Sequence, residues 1–214
     1  MIKANINLLE SDATIRKLIL EGFADELNRV INESIPIITF RTKEIINNAI
    51  KTEPEYDSLK NGQLRYEFGI PNPDSVDKII DAIVNNGKFT KQKIKITNIG
   101  LSGGFIYSIL DEETVEGLLY TDIASTVDDS GYSLPWLEWL LYSGTRPIVR
   151  NYSVKFGSNA RSRTGMAVMV RSNNNWSVPA QFAGTLSNNW FTRAFDKIDD
   201  EITDTIKNII DQYI

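Results

Sequence analysis

The sequence predicts an α+β fold, and three observations carry the prediction. Apolar residues recur at spacings of three and four near both ends of the chain. Short runs that alternate apolar and polar residues fill the middle. Gly, Pro and Asn punctuate those runs at turn spacing. Apolar residues are 42% of the 214 and charged residues 24%, the balance of a folded chain rather than a disordered one. We read residues 1–214 as one domain with a helical arm over 1–51 and a terminal helix over 187–214.

The first helix is predicted over 11–51, with Ser11 or Asp12 as its cap. Ile15, Leu18, Ile19, Phe23, Leu27, Val30 and Ile31 form one apolar stripe, and Ile38, Ile45, Ile46, Ala49 and Ile50 continue it. Pro36 lies between the two halves, so this is either two helices or one bent helix. Pro54, Gly62, Gly69 and Pro71 mark 52–71 as connecting structure, with a short strand at Leu64–Phe68. Val76, Ile79, Ile80, Ile83 and Val84 form the stripe of a second helix, terminated by Gly87.

A mostly antiparallel sheet is expected in the middle. Lys93–Thr97, Phe105–Leu110, Tyr120–Val127, Ile148–Phe156, Met166–Arg171 and Trp176–Val178 read as strands. Leu134–Tyr142 reads as a buried helix with Pro135 in its first turn and Gly144 beyond its end. The terminal helix carries Phe191, Ala194, Phe195, Ile198, Ile202, Ile206, Ile209, Ile210 and Tyr213 on one face. It is longer than one small sheet needs, so its distal end is expected on a neighbouring subunit.

Absent residue types exclude several chemistries. Without His there is no Ser–His–Asp triad and no histidine-ligated metal. Without Cys there is no disulfide, iron–sulfur cluster or thiolate nucleophile. The carboxylate clusters Glu112–Glu113, Asp128–Asp129 and Asp199–Asp200–Glu201 read as solvated faces rather than acid/base pairs. Asp128–Gly131 lacks the ligand pattern of a calcium loop, and Gly157–Gly165 lacks the ending of a phosphate loop. The expectation is a protein that is not an enzyme, with no cofactor, metal or small-molecule substrate. The N-terminus does not read as a signal peptide. No apolar run approaches the roughly 18 residues of a membrane span. A soluble protein made in a cytoplasm is expected, with no membrane partner.

Charge is segregated. Between Glu138 and Asp196 there is no acidic residue but seven basic ones: Arg146, Arg150, Lys155, Arg161, Arg163, Arg171 and Arg193. The net charge is −5, so the remainder carries −12. The segment 146–193 reads as a basic flank that meets an acidic surface of a neighbouring subunit. The alternative is a small nucleic-acid-binding module. Candidate contacts are Arg146, Arg150, Lys155, Arg161, Arg163, Trp190 and Arg193, against Asp199, Asp200 and Glu201. Aromatic residues and Arg are the usual interface anchors.

Several motifs occur in a particular order. After the long helix comes Leu59-x-x-Gly62-x-Leu64-Arg65-Tyr66-Glu67, then a β-rich middle. Next is Trp139-Leu140-Leu141-Tyr142-Ser143-Gly144-Thr145, and Trp190-Phe191-Thr192-Arg193-Ala194 opens the last helix. This order resembles the neck and tail-completion proteins of tailed bacteriophages. That family has a Thr-Gly-x-Leu-Arg motif, an aromatic segment ending in Gly-Thr, and a Pro-Phe-x-Arg-Pro-Ala motif. Here Asn61 stands in place of the Thr, and the final prolines are absent. The segments Leu134–Leu141 and Trp176–Pro179 are similar to virion structural proteins of marine myophages. The resemblance implies a homo-oligomeric ring, commonly a hexamer, at the head–tail junction. Its partners would be other neck or tail proteins, with genomic DNA passing through the channel. The location would be the virion, after assembly in the host cytoplasm.

Overall fold

The computed structural model describes residues 11–128 and 131–213. Residues 1–10 of the expected arm, Asp129 of the Asp128–Asp129 pair, and Ile214 lie outside the described residues.

Helix α1 (Asp12–Thr52) is unbroken over 41 residues, about 60 Å at 1.5 Å per residue. Ser11 caps it, its hydroxyl accepting from the Thr14 N–H at 3.2 Å. Pro36 does not break it. Pro36 has no N–H to offer the Asn32 carbonyl, and both residues are exposed, so water can serve that carbonyl. The opposite face is held by Ser34, Ile38, Thr42 and Ile46, all fully buried.

Two short helices follow, α2 (Pro54–Asn61) and α3 (Gln63–Phe68). They replace the expected connecting structure and the expected strand at Leu64–Phe68. Leu64 and Phe68 are four apart and both buried, while Tyr66 between them donates its hydroxyl to the Asn61 carbonyl. Five residues of alternation fit either period, and packing of the i, i+4 pair decides. Helix α4 (Asp74–Asn86) buries the expected five-residue stripe. Gly87 ends it, but with φ −54° rather than a left-handed turn. What Gly87 provides is space: a Cβ there would lie 2.1 Å from the Tyr107 hydroxyl.

Strands β1 (Lys88–Thr97) and β2 (Gly100–Ser108) form an antiparallel ribbon joined at Asn98–Ile99. Then come α5 (Glu112–Leu119), a 3₁₀ turn at Asp122–Ala124, β3 (Thr126–Val127), β4 (Ser133–Leu134) and α6 (Trp136–Tyr142). The expected strand Tyr120–Val127 is thus reduced to two residues, because the helical turn consumes its start. Strands β5 (Tyr152–Phe156) and β6 (Ala167–Arg171) pair antiparallel. The expected strand Ile148–Phe156 is interrupted at Asn151, which sits at φ +60°. Val149 instead makes an isolated bridge to Trp176. That bridge is what remains of the expected strand Trp176–Val178. Among the described residues the antiparallel structure is three separate two-stranded sheets rather than one.

The terminal helix is divided into α7 (Trp190–Asp196) and α8 (Asp199–Ile210). Asn189 and Thr192 form a capping box at the start of α7. Asp199, Asp200 and Glu201 occupy the first turn of α8, where the helix dipole favours negative charge. Helix α8 packs along α1 of its own chain, which explains its length without a neighbour.

The core gathers the C-terminal end of α1 with α2, α3, α4, α6 and α7. At its centre Phe68 meets Trp136, Trp139 and Trp176 at ring-centroid distances of 6.2, 6.3 and 5.9 Å. The fold is α+β, with a long N-terminal helix and helices at the C-terminal end.

Candidate interface surfaces

The first surface is an arm built from α1 and the β1–β2 ribbon. Gln92 pairs with Gly104 and Lys95 with Ser102, so Lys93 and Ile94 together oppose Gly103 in a bulge. Asn28 of α1 satisfies the bulged residue. It accepts from the Ile94 N–H at 2.9 Å and donates to the Ile94 carbonyl at 3.2 Å. Gly103 is required by both conformation and space. Its φ is +140°, and a Cβ would meet Ile94 Cα at 2.6 Å. Lys91 donates to Asn32 Oδ1 at 2.8 Å. Residue 94 lies beside 28 and 91 beside 32, so β1 climbs α1 toward its start.

The arm leaves much of its apolar surface uncovered. Leu18, Ile19 and Phe23 belong to the stripe that α1 was expected to bury, yet Phe23 is 59% exposed. Ile99, in the ribbon turn, is 97% exposed, and Ile96 and Ile106 are also exposed. The ribbon is basic too. Residues 82–110 hold Lys88, Lys91, Lys93 and Lys95 and no acidic residue. Sequence reasoning missed this second basic segment because the longer one at 139–195 dominated the count.

The second surface is the β5–β6 hairpin with its loop, where the predicted basic residues separate by role. Arg163 is exposed but tied to its own chain. Its Nη1 donates to the Val127 carbonyl at 2.8 Å, and its guanidinium occupies the space a Gly69 side chain would need. Gly69 also requires a left-handed conformation, at φ +65°. Arg193 is tied down as well, pairing with Glu55 and donating to Asn188 Oδ1 at 2.8 Å. Trp190 is fully buried and donates to the Ile50 carbonyl at 3.1 Å. Both leave the set of residues available to a partner. Arg146 donates to the Ser143 carbonyl at 3.2 Å. Arg150, Lys155 and Arg161 are exposed.

The pairing register places Tyr152 opposite Arg171 and Lys155 opposite Val168. Side chains alternate across a strand, so Lys155 and Arg171 project from opposite faces. Arg161 and Arg163 line a hollow of about 350 Å³ together with Phe68, Trp139, Val154, Met169 and Trp176. Glu67 also lines it, accepting from Gln63 at 2.8 Å and from Trp176 Nε1 at 3.3 Å. Burial pushes the Glu67 carboxyl above its ordinary value, against the pull of those two donors.

The third surface is a cleft of about 950 Å³ between α5, α6 and α7. Leu110, Val115, Leu119, Leu141, Phe191 and Phe195 give it an apolar floor. Tyr120 and Leu186 are exposed on its rim, and Asp111, Glu116, Asp122 and Glu138 add four carboxylates. Among the described residues no Lys or Arg lines it. Asp111 caps α5, and hydrogen bonds from Thr114 hold its carboxyl below the ordinary range. A general acid needs the opposite shift. The predicted acidic residues Asp199, Asp200 and Glu201 are elsewhere, exposed at the start of α8.

Among the described residues no group of three or more acidic side chains converges to hold a metal ion. Among them, too, no helix is long and apolar enough to cross a membrane. No protein-family model matches the chain, and no curated protein or solved structure matches it.

Proposed function

We propose that this chain is a structural virion protein that closes into a homo-oligomeric ring, of hexamer type, at the neck or upper tail of a tailed phage. The observation that carries the reading is the arm. An exposed apolar stripe on α1 and a ribbon with a bare isoleucine at its turn are costly on a free monomer and useful at a subunit interface. The motif order supports the phage assignment, and the segregated charge suits a subunit that presents unlike surfaces to its two neighbours. The work is mechanical: contacts between copies, and with other neck or tail proteins, hold a ring around the path of genomic DNA. Arg146, Arg150, Lys155 and Arg161 are exposed basic contacts available to it. Asp199, Asp200 and Glu201 are available acidic ones.

Light scattering of the purified protein at low and high ionic strength tests this reading. A closed oligomer that loosens with salt is the expected result. Lys155→Glu combined with Arg161→Glu is expected to weaken assembly while leaving the monomer folded by circular dichroism. Arg163 is omitted from that variant because it anchors its own loop. A monomer at both ionic strengths that binds duplex DNA with steep salt dependence would overturn the ring reading in favour of nucleic-acid binding. The opposed faces of Lys155 and Arg171 work against a single basic stripe on that hairpin.

A further inference from the structure

We infer that the turn of the β1–β2 ribbon inserts into the acidic, apolar-floored cleft between α5, α6 and α7 of a second copy of this chain. The inference rests on the ring reading and names the contact that closes the ring.

The two surfaces complement each other in charge and in polarity. The ribbon offers Lys93 and Lys95, both exposed, beside Ile96 and the fully presented Ile99. The cleft offers Glu116, Asp122 and Glu138 around an apolar floor, with Asp111 at its edge already paired to Lys88, and among the described residues no basic side chain lines it. Two-residue hairpin turns ordinarily take Asn, Gly or Asp, because they face water and need unusual backbone angles. An isoleucine there loses nothing only if something apolar receives it. The cleft volume of about 950 Å³ admits a four-residue turn with its side chains.

The occupant cannot be the chain's own ribbon. Lys88, at the ribbon base, lies 3.5 Å from Asp111 at the cleft edge. Nine residues of extended strand then carry the turn about 30 Å away. Asn28 and Asn32 hold the ribbon along α1, so it does not fold back. One copy therefore offers a ribbon and a cleft that cannot satisfy each other. That is the arrangement of a head-to-tail contact, which closes into a ring when the rotation permits.

The chain has no cysteine, so paired substitutions report the contact directly. Purified Ile99→Cys mixed with Glu138→Cys is expected to give a covalent dimer on mild oxidation. Ile99→Cys mixed with Asp204→Cys, on α8, is expected to give none. Ile99→Asp is expected to raise the concentration needed for assembly at least about tenfold, as loss of one buried isoleucine side chain. Its exposure in the monomer means that the fold survives, which circular dichroism checks. Lys93→Glu with Lys95→Glu is expected to abolish assembly. Adding Asp122→Lys and Glu138→Lys in the same chain is expected to restore it.

Normal assembly of Ile99→Asp, with no cross-link between Ile99→Cys and Glu138→Cys, overturns this contact and leaves the ring reading standing. A wild-type protein that stays monomeric, together with no cross-link between Ile99→Cys and Glu138→Cys, overturns both. Loss of duplex DNA or anionic vesicle binding in the lysine variant, with unchanged mass, assigns the ribbon to another partner and overturns the contact.

Discussion

Arg193 is the residue where sequence and structure diverge most usefully. It sits at the end of a basic segment and looks like a surface contact. Its guanidinium instead neutralises Glu55, whose side chain is 1% exposed. Neighbouring Lys197 does the same for Glu53, at 2.5 Å, and that side chain is 3% exposed. Two neighbouring buried carboxylates are thereby compensated from α7 and its C-cap, which clamps α7 to the α1–α2 junction. Arg193→Ala is expected to cost about 3 kcal/mol in urea unfolding, because it leaves a buried charge unpaired. Adding Glu55→Leu is expected to recover most of that loss, since the cost belongs to the stranded carboxylate rather than to the lost pair. Equal stability of wild type and Arg193→Ala would show that water reaches Glu55.

At the scale of elements, the long helix raises the sharper question. Its spacing was legible, but its continuity through Pro36 was not. An interior proline costs a helix about 3 kcal/mol through the missing hydrogen bond and ring crowding. The buried face at Ser34, Ile38 and Thr42 overrides that cost. Pro36→Ala is therefore expected to stabilise the monomer by about 1–3 kcal/mol in thermal or urea unfolding. Loss of stability instead would mean that a bend at Pro36 is needed to seat the ribbon on α1. The ribbon depends on a local accident of register. The bulge at Lys93–Ile94 frees two backbone groups, and Asn28 reaches both. No sequence pattern predicts that pairing, because residues 28 and 94 meet only after the helix and ribbon have docked.

For the whole molecule, two half-buried carboxylates set opposite responses to pH. Burial raises the Glu67 carboxyl above its ordinary 4.5. A raised acid contributes stability that is complete below its unfolded value and is lost as pH rises through the folded one. Burial also opposes ionisation of Asp77, but hydrogen bonds from Lys60 at 2.5 Å and Tyr56 at 2.9 Å outweigh it and lower the carboxyl below 3.8. A lowered acid contributes stability that is complete above its unfolded value and is lost as pH falls through the folded one. Thermal unfolding across a pH series is expected to show both limbs. Glu67→Gln should flatten the decline above 4.5, and Asp77→Asn should flatten the decline below 3.8. Unchanged limbs in these variants would assign the pH response to other groups.

The class of fold, the positions of α1, α4 and α6, and the lack of His and Cys side chains were all legible in the amino-acid pattern. Those features follow from periodicity over many residues and from composition, which need no tertiary context. Packing settled the rest. It turned Leu64–Phe68 into helix, split the expected sheet into three ribbons, and divided the terminal helix at Lys197–Ile198. It also sorted the basic residues, pairing Arg193 with a buried carboxylate, tying the exposed Arg163 to the Val127 carbonyl, and leaving Arg161 and the ribbon lysines free to face solvent. Short segments and single charges have no preference strong enough to act alone. Their state is set by what packs against them, and for a charge by whether a carboxylate or water lies nearest.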